Sequence, residues 1–216
     1  VGSEMCIRDR YLYPLIAIAA MLAIVFVMDL PHMHKPKQQL SQTIRIPAGQ
    51  RAQMDLPDGS IVWLNSQTTL TYDENFGKKD RKVTLDGEAY FEVAHNKEIP
   101  FYVQTENIKV QVTGTKFDVC SYKGSNSFIA RLIEGSINLL TNNAKEEKPI
   151  TSLTKGKYFS MENGKYKTGE MSSNNALAWM QGIYYFDDVP FKELLDKIAL
   201  YYNYKITVKN PKILEN

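Results

Sequence analysis

Glu88 and Glu92 have the types and spacing from which acid–base chemistry could be built, since glycosidases work with paired carboxylates. The Asp86-Gly87 pair before them favours a strand over a helix, and on a strand the two would share a face. They would then stand roughly 13 Å apart by strand rise, too far for paired acid–base work without outside partners. The reading is a charged outer face. A hydrolase built on either residue would need a second carboxylate within about 5 to 10 Å. His32-Met33-His34 offers soft metal ligands, but no third ligand stands nearby, so a solvated linker is expected. Cys120 sits beside Val119 in a strand pattern with no Cys-x-x-Cys, which reads as a buried, inert thiol. Gly114-Thr115-Lys116 has the ending of a phosphate loop without its upstream glycine or a following helix. His95 is the lone histidine of the central region, so no Ser/His/Asp arrangement can be assembled. Nothing requires an enzyme, and no metal or cofactor is expected.

The elements that would carry these residues start with an uncharged run from Tyr11 to Met28. As a helix it would reach about 27 Å at 1.5 Å per residue, close to the hydrocarbon thickness of a bilayer. Lipid offers the backbone no hydrogen-bond partner, so such a run satisfies itself only as a helix. Residues 11–30 are therefore expected to be a single transmembrane helix, with Tyr11, Leu15, Ile18, Leu22, Val25 and Met28 among its spanning residues. Pro14 suits its first turn, and Tyr11 and Tyr13 the headgroup boundary. Arg8 and Arg10 favour a cytoplasmic N-terminus. Residues 1–10 are unlike a domain and look like either a cytoplasmic remnant or read-through of a sequencing adaptor, in which case those arginines are not native. The bulk of the chain is then expected outside the cytoplasm.

Beyond the anchor roughly 185 residues remain, enough for one sizeable domain and a small one. The formal net charge of +2 and scattered basic residues do not point to nucleic acid. The only two cysteines, Cys6 and Cys120, would lie on opposite sides of the membrane and could not pair. With 13 Tyr and 9 Phe, the chain suits a β-rich core or a recognition surface.

Residues 31–42 read as a juxtamembrane linker, with Pro31 and Pro36 and no periodicity. From 43 to 162 the signal is period-2 alternation broken by turn chemistry, as at Pro57-Asp58-Gly59-Ser60. Ile61-Val62-Trp63-Leu64 has the continuous apolar character of a strand buried on both sides. The span predicts an all-β domain of about a dozen short strands, as a sandwich or a squat solenoid. Residues 163–178 turn polar and read as a linker. Residues 179–216 then predict a small β-α-β module. Ile183-Tyr184-Tyr185-Phe186 would be one strand, and Phe191, Leu194, Leu195, Ile198 and Tyr201 a helical stripe. Asn203 would be a left-handed stop, and Tyr204, Ile206 and Val208 a second strand. One helix covers one sheet face, so some rings of this module must turn outward. Trp179, Tyr184, Tyr185, Tyr202 and Tyr204 are the candidates for binding a partner protein, or for packing against the other domain.

Several ordered stretches resemble the FecR family. They are Leu56-Pro57-Asp58-Gly59-Ser60-Ile61-Val62-Trp63-Leu64-Asn65, Leu70 with Tyr72, Gly87-Glu88-Ala89-Tyr90-Phe91-Glu92-Val93, Pro100-Phe101, and Gly114-Thr115-Lys116-Phe117-Asp118-Val119. Its members are single-span regulators of extracytoplasmic-function sigma factors, and the Bacteroidetes type is most similar. Pro57, Asp58, Gly59, Gly87, Phe91, Gly114 and Phe117 are the structural positions of that motif set. Trp179, Gly182, Phe186, Pro190, Leu194, Ile198 and Tyr201-Tyr202 resemble the start of the family's C-terminal module, related to the secretin and TonB-dependent receptor short N-terminal domain. The resemblance implies an anti-sigma factor of the inner membrane with its bulk in the periplasm. Its implied partners are a sigma factor, the signalling domain of a TonB-dependent outer-membrane transporter, and periplasmic and intramembrane proteases. Uptake of an iron chelate or a glycan would be the inducing event. The sigma-binding cytoplasmic segment is absent from this sequence, and the C-terminal module is partial. A membrane-tethered carbohydrate-binding β domain is the alternative, and it requires exposed rings on the β domain itself.

Overall fold

The computed structural model describes residues 17–26, 40–78, 80–142, 147–171, 174–186 and 189–214. The chain divides into two compact units, Val1–Gln39 and Leu40–Asn216. In the first, residues 17–26 form a helix (α1) with every side chain exposed, Ile18, Leu22 and Val25 among them. Among the described residues no helix is long and apolar enough to cross a membrane. Tyr11, Leu15 and Met28 lie outside the described residues, as do residues 1–10 and His32-Met33-His34.

The second unit holds thirteen strands in one continuous sheet that curls on itself. They are β1 (Ser41–Arg45), β2 (Ala52–Asp55), β3 (Ile61–Leu64), β4 (Thr69–Asp73), β5 (Arg81–Glu92), β6 (Phe101–Gln104) and β7 (Ile108–Val112). Then follow β8 (Lys116–Ser121), β9 (Ser127–Glu134), β10 (Ser136–Thr141), β11 (Pro149–Thr154), β12 (Lys157–Glu162) and β13 (Lys165–Glu170). The long strand β5 joins two halves. Its first part, Arg81 to Asp86, pairs with β4 on one side and β6 on the other. From Gly87 onward it pairs with β3 and β8 instead. The change of both neighbours falls at Gly87, whose φ of +132° suits glycine and where a Cβ would lie 2.4 Å from Thr68 Oγ1. The first half is thus β1-β4-β5-β6-β7-β10-β11, the second β2-β3-β5-β8-β9-β12-β13. β11 returns against β9 and β12, which closes the curl.

Alternation gives each strand one enclosed face. Val83, Leu85, Ala89 and Phe91 of β5 all point into the core, where Phe91 stacks on Phe117 with ring centroids 5.1 Å apart and meets Phe101 at 5.9 Å. Each such enclosed side chain contributes about 1.5–3 kcal/mol relative to exposure. Pairing is antiparallel throughout except β5 with β6, which rules out the parallel rungs of a solenoid. The expectation for β3 also needs correction: Val62 and Leu64 enter the core, but Ile61 and Trp63 lie half-buried on the outer face, where Trp63 packs on Tyr90.

Two further expectations differ from the structure. The expected linker at 163–178 contains β13, paired along its length with β12. The connection is Asn163-Gly164, with φ of 48° and 77°, the two positive values that a tight two-residue hairpin turn requires. β13 reads as linker because it is a solvent-facing edge strand with no buried side chain, its Tyr166 stacking on Phe159 from the outside. After it come a 3-10 helix (Asn174–Gln181), the helix α2 (Phe191–Tyr202) and a 3-10 turn (Pro211–Leu214). Neither 183–186 nor 204–208 is a strand, so among the described residues the β-α-β module is not formed. A strand needs a paired neighbour for its backbone, and these two segments find none. The helix itself ends as its sequence requires, on Asn203 in the left-handed region at φ 56°, ψ 42°.

Candidate functional site

The outer face of the second half-sheet carries the side chains that alternate with the core: Glu88, Tyr90 and Glu92 from β5, Asp118 and Cys120 from β8, Ile129 and Arg131 from β9. Glu92 follows the expectation of a charged surface, with Lys116 at 3.4 Å and Tyr90 donating to it at 3.2 Å. Glu88 does not. The segment after Met171 crosses this face, leaving a cavity of about 670 Å³ floored by Glu88, Cys120 and Arg131 and roofed by Tyr184, Lys197 and Tyr201.

One polar chain runs across the floor. Tyr184 Oη donates to Asn65 Oδ1 at 3.1 Å, and Asn65 Nδ2 donates to Glu88 Oε2 at 2.6 Å. Glu88 Oε1 lies 3.8 Å from Arg131 Nη1, which donates to Asp118 Oδ2 at 2.6 Å. Asp118 is fully enclosed, and its second oxygen, Oδ1, has no hydrogen-bond partner. Nor has Trp179 Nε1, although the indole lies close enough to Asp118 to help hold its charge. Burial and the Glu88 charge push the Asp118 carboxyl up to about 7, against the opposing pull of Arg131. Two carboxylates sharing one guanidinium leave a surplus negative charge when both ionise, so a proton is held near neutrality. Burial works against the Arg131 charge as well, but Asp118 and Glu88 outweigh it. Burial and Glu88 push the Cys120 thiol well above its ordinary value, which keeps it unreactive. The residue as a whole is partly covered, and its side chain lines the cavity from the outer face.

The same segment is tied down at a second place. The final carbonyls of α2, which a helix cannot satisfy itself, are met by the body. Gly49 N–H (2.8 Å) and Ser66 Oγ (2.6 Å) donate to Tyr201 O, and Gln67 Nε2 donates to Leu200 O. Arg51 Nη1 donates to Trp179 O at 2.6 Å, and Tyr201 Oη returns a bond to Gly49 O at 3.0 Å.

The structure separates the five partner-binding candidates into two sets. Trp179, 3% exposed, and the half-buried Tyr184 turn onto the chain's own β body. Tyr185, Tyr202 and Tyr204 face outward at 55%, 54% and 71% exposure, with Ile198 and Phe191 also exposed. On the β body, Leu40 and Tyr166 are the exposed large hydrophobic side chains among the described residues, and Trp63, Tyr102, Tyr122 and Tyr158 are partly covered. The second carboxylate that a hydrolase would need beside Glu88 does exist in Asp118, but it is spent on Arg131 and closed to solvent.

Residues 42–138 match the family described as FecR protein. The chain carries a FecR domain. Two crystal structures of a candidate anti-sigma factor from Parabacteroides distasonis ATCC 8503, at 2.50 and 1.65 Å resolution, are similar to it. Each is 26% identical, with TM-scores of 0.67 and 0.66, covering 76% and 75% of this chain and the same shares of theirs. No curated protein matches the chain.

The FecR domain runs from β1 to the start of β10, so Asn65, Glu88, Asp118 and Arg131 belong to it while Trp179 and Tyr184 lie beyond. Its motif residues are structural. Gly59 and Pro57 make the turn on which Asp58 receives Ser60 N–H (3.0 Å) and Ser60 Oγ (2.8 Å). Gly114 passes so close to His95 that a Cβ would stand 2.4 Å from Nδ1, which accounts for this glycine without any phosphate. Phe91 and Phe117 form the central stack.

Sequence reasoning missed Arg81. It is 2% exposed, pairs with Asp58 at 3.2 Å, and donates to the carbonyls of Ala94, Asn96 and Ile99. The signal was present: counting back by twos from Leu85 and Val83 places Arg81 on the inward face. Asp118 and Arg131 carried no such mark, because an outward position is ordinarily wet.

Proposed function

We propose that this chain is the extracytoplasmic sensing and relay portion of an anti-sigma regulator, anchored in the inner membrane with its β body in the periplasm. It receives a signal from the signalling domain of a TonB-dependent outer-membrane transporter and passes it to a sigma factor held on the cytoplasmic side. The function is binding and relay, with no bond made or broken. The observation that carries the reading is the FecR match, supported by the likeness to the Parabacteroides protein over three quarters of both chains. The uncharged run at 11–28 supports the anchor, and the outward set Tyr185, Tyr202 and Tyr204 offers the kind of rings enriched at protein interfaces. Any coupling is limited to the partner's differential affinity for two states of the periplasmic part.

The test is a titration of the full chain, in detergent or nanodiscs, against the purified signalling domain of a transporter encoded beside its gene. Binding tighter than about 100 μM supports the relay, and no binding at that concentration overturns it. Loss of binding on Tyr202→Ala and Tyr204→Ala together would place the contact on the outward rings.

A further inference from the structure

The segment after Met171 holds to the β body in an unusual way. α2 has no buried residue, and Trp179 is the one fully enclosed side chain of the segment among the described residues. What holds it is polar: the bonds that cap α2, the Arg51 bond to Trp179 O, and a chain of contacts whose two ends both lie on the segment. That chain is Tyr184–Asn65–Glu88–Arg131–Asp118, with Trp179 beside Asp118. Few buried apolar contacts and many polar ones mark a unit that opens ahead of the rest of the fold.

We propose that residues 174–186 and 189–202 form a pH-responsive latch over the second half-sheet, closed by Trp179 and Tyr184 when the Asp118–Arg131–Glu88 cluster holds a proton and released when both carboxylates are charged. The geometry supplies the reason. In the closed state Trp179 completes the wall that keeps water from Asp118, and Asp118 and Glu88 share a single guanidinium. Full ionisation therefore leaves one uncompensated negative charge in an enclosed place, at the Asp118 carboxylate with the Trp179 indole beside it. Opening admits water to both.

The groups facing the cluster leave that charge uncancelled. Glu88 and Tyr90 face it from β5, Arg131 from β9 with Tyr158 of β12 across from it, and Cys120 from its own strand. From the segment come Trp179 and Tyr184, and from α2 Glu193 with Lys197, which pair with each other at 3.6 Å. No histidine lines the cavity. The sign follows from linkage. The closed state raises the Asp118 carboxyl toward about 7, mainly by burial, so closure binds a proton. Closure is favoured as pH falls from there toward the ordinary aspartate range, and that advantage is lost as pH rises through about 7. The inference stands on the segment's own contacts and does not depend on the relay reading.

Trp63 and Trp179 are the chain's two tryptophans, so Trp63→Phe in the full chain leaves Trp179 as the sole indole probe. Acrylamide quenching of its fluorescence between about pH 5.5 and about pH 8.5 then reads the latch directly. The quenching constant is expected to rise about twofold or more across that range. Asp118→Asn, neutral at every pH, should hold it low and flat. Tyr184→Phe, which removes the bond at the other end and leaves the β core untouched, should move the rise to lower pH. Quenching equal at the two pH limits in the Trp63→Phe chain overturns the proposal, as does a folded Asp118→Asn chain that follows the same curve. If Asp118→Asn fails to fold by circular dichroism, the Tyr184→Phe curve decides alone, and an unshifted curve overturns the proposal.

Discussion

Between Ser41 and Glu170 alternate side chains of most strands are enclosed, whereas after Met171 only Trp179 is, among the described residues. The segment is richer in aromatic rings for its size than the body, and the two use them differently. In the body Phe91, Phe101, Phe117, Phe128 and Phe159 are shut away from water and hold the two half-sheets together. In the segment Tyr185, Tyr202 and Tyr204 stand in solvent, and attachment falls to hydrogen bonds donated by Gly49, Arg51, Ser66 and Gln67 and one accepted by Asn65. Apolar burial is lost all at once when a fold opens, but a set of exchangeable polar bonds can let go locally, since water replaces each one at a net cost of about 0.5–1.5 kcal/mol. In the proposed latch the body is therefore the rigid member and the segment the movable one.

The largest effect should come from the body's interior. Phe91→Ala removes one ring of the central stack and should cost about 3–5 kcal/mol in urea unfolding, with no route by which the segment could compensate. A loss below about 1 kcal/mol would break the contrast outright. Arg81→Met should cost about 3 kcal/mol, because it strands the Asp58 carboxylate and three carbonyls that the guanidinium now serves. Gly87→Ala should cost about 2–3 kcal/mol, through both the positive φ and the contact with Thr68, and tests whether the two half-sheets must join at this residue.

On the segment the expected outcomes change in kind. Trp179→Ala should change the body's unfolding free energy in urea by under about 1 kcal/mol, yet raise amide exchange throughout residues 174–202. Equal loss of protection in β5 and β8 would mean that body and segment are one cooperative unit. The smallest effect belongs to Ile198→Ser on the exposed side of α2, within about 0.5 kcal/mol.

The strands were legible where one face is buried and the other wetter, because alternation writes that boundary into the chain. β4, β6 and β10 are examples. Legibility failed for β13, none of whose side chains is buried, although Asn163-Gly164 announced the hairpin. It failed in the opposite sense for 183–186 and 204–208, where β-like alternation is present but no neighbouring strand is. Glu88 was correctly placed on the outer face of its strand, but its covering was invisible, since it comes from residues about a hundred positions away.

Local pattern alone thus determined that this chain makes a mostly β body, where its turns fall, and that a helix closes on Asn203, because periodicity, proline, glycine and asparagine act over a few residues. Only the tertiary structure decided that β5 serves two half-sheets, that Arg81 anchors a loop from within the core, and that Trp179 lies beside Asp118. Those facts depend on which distant surfaces meet. A carboxylate's environment is set by whatever covers it, and no local spacing records that.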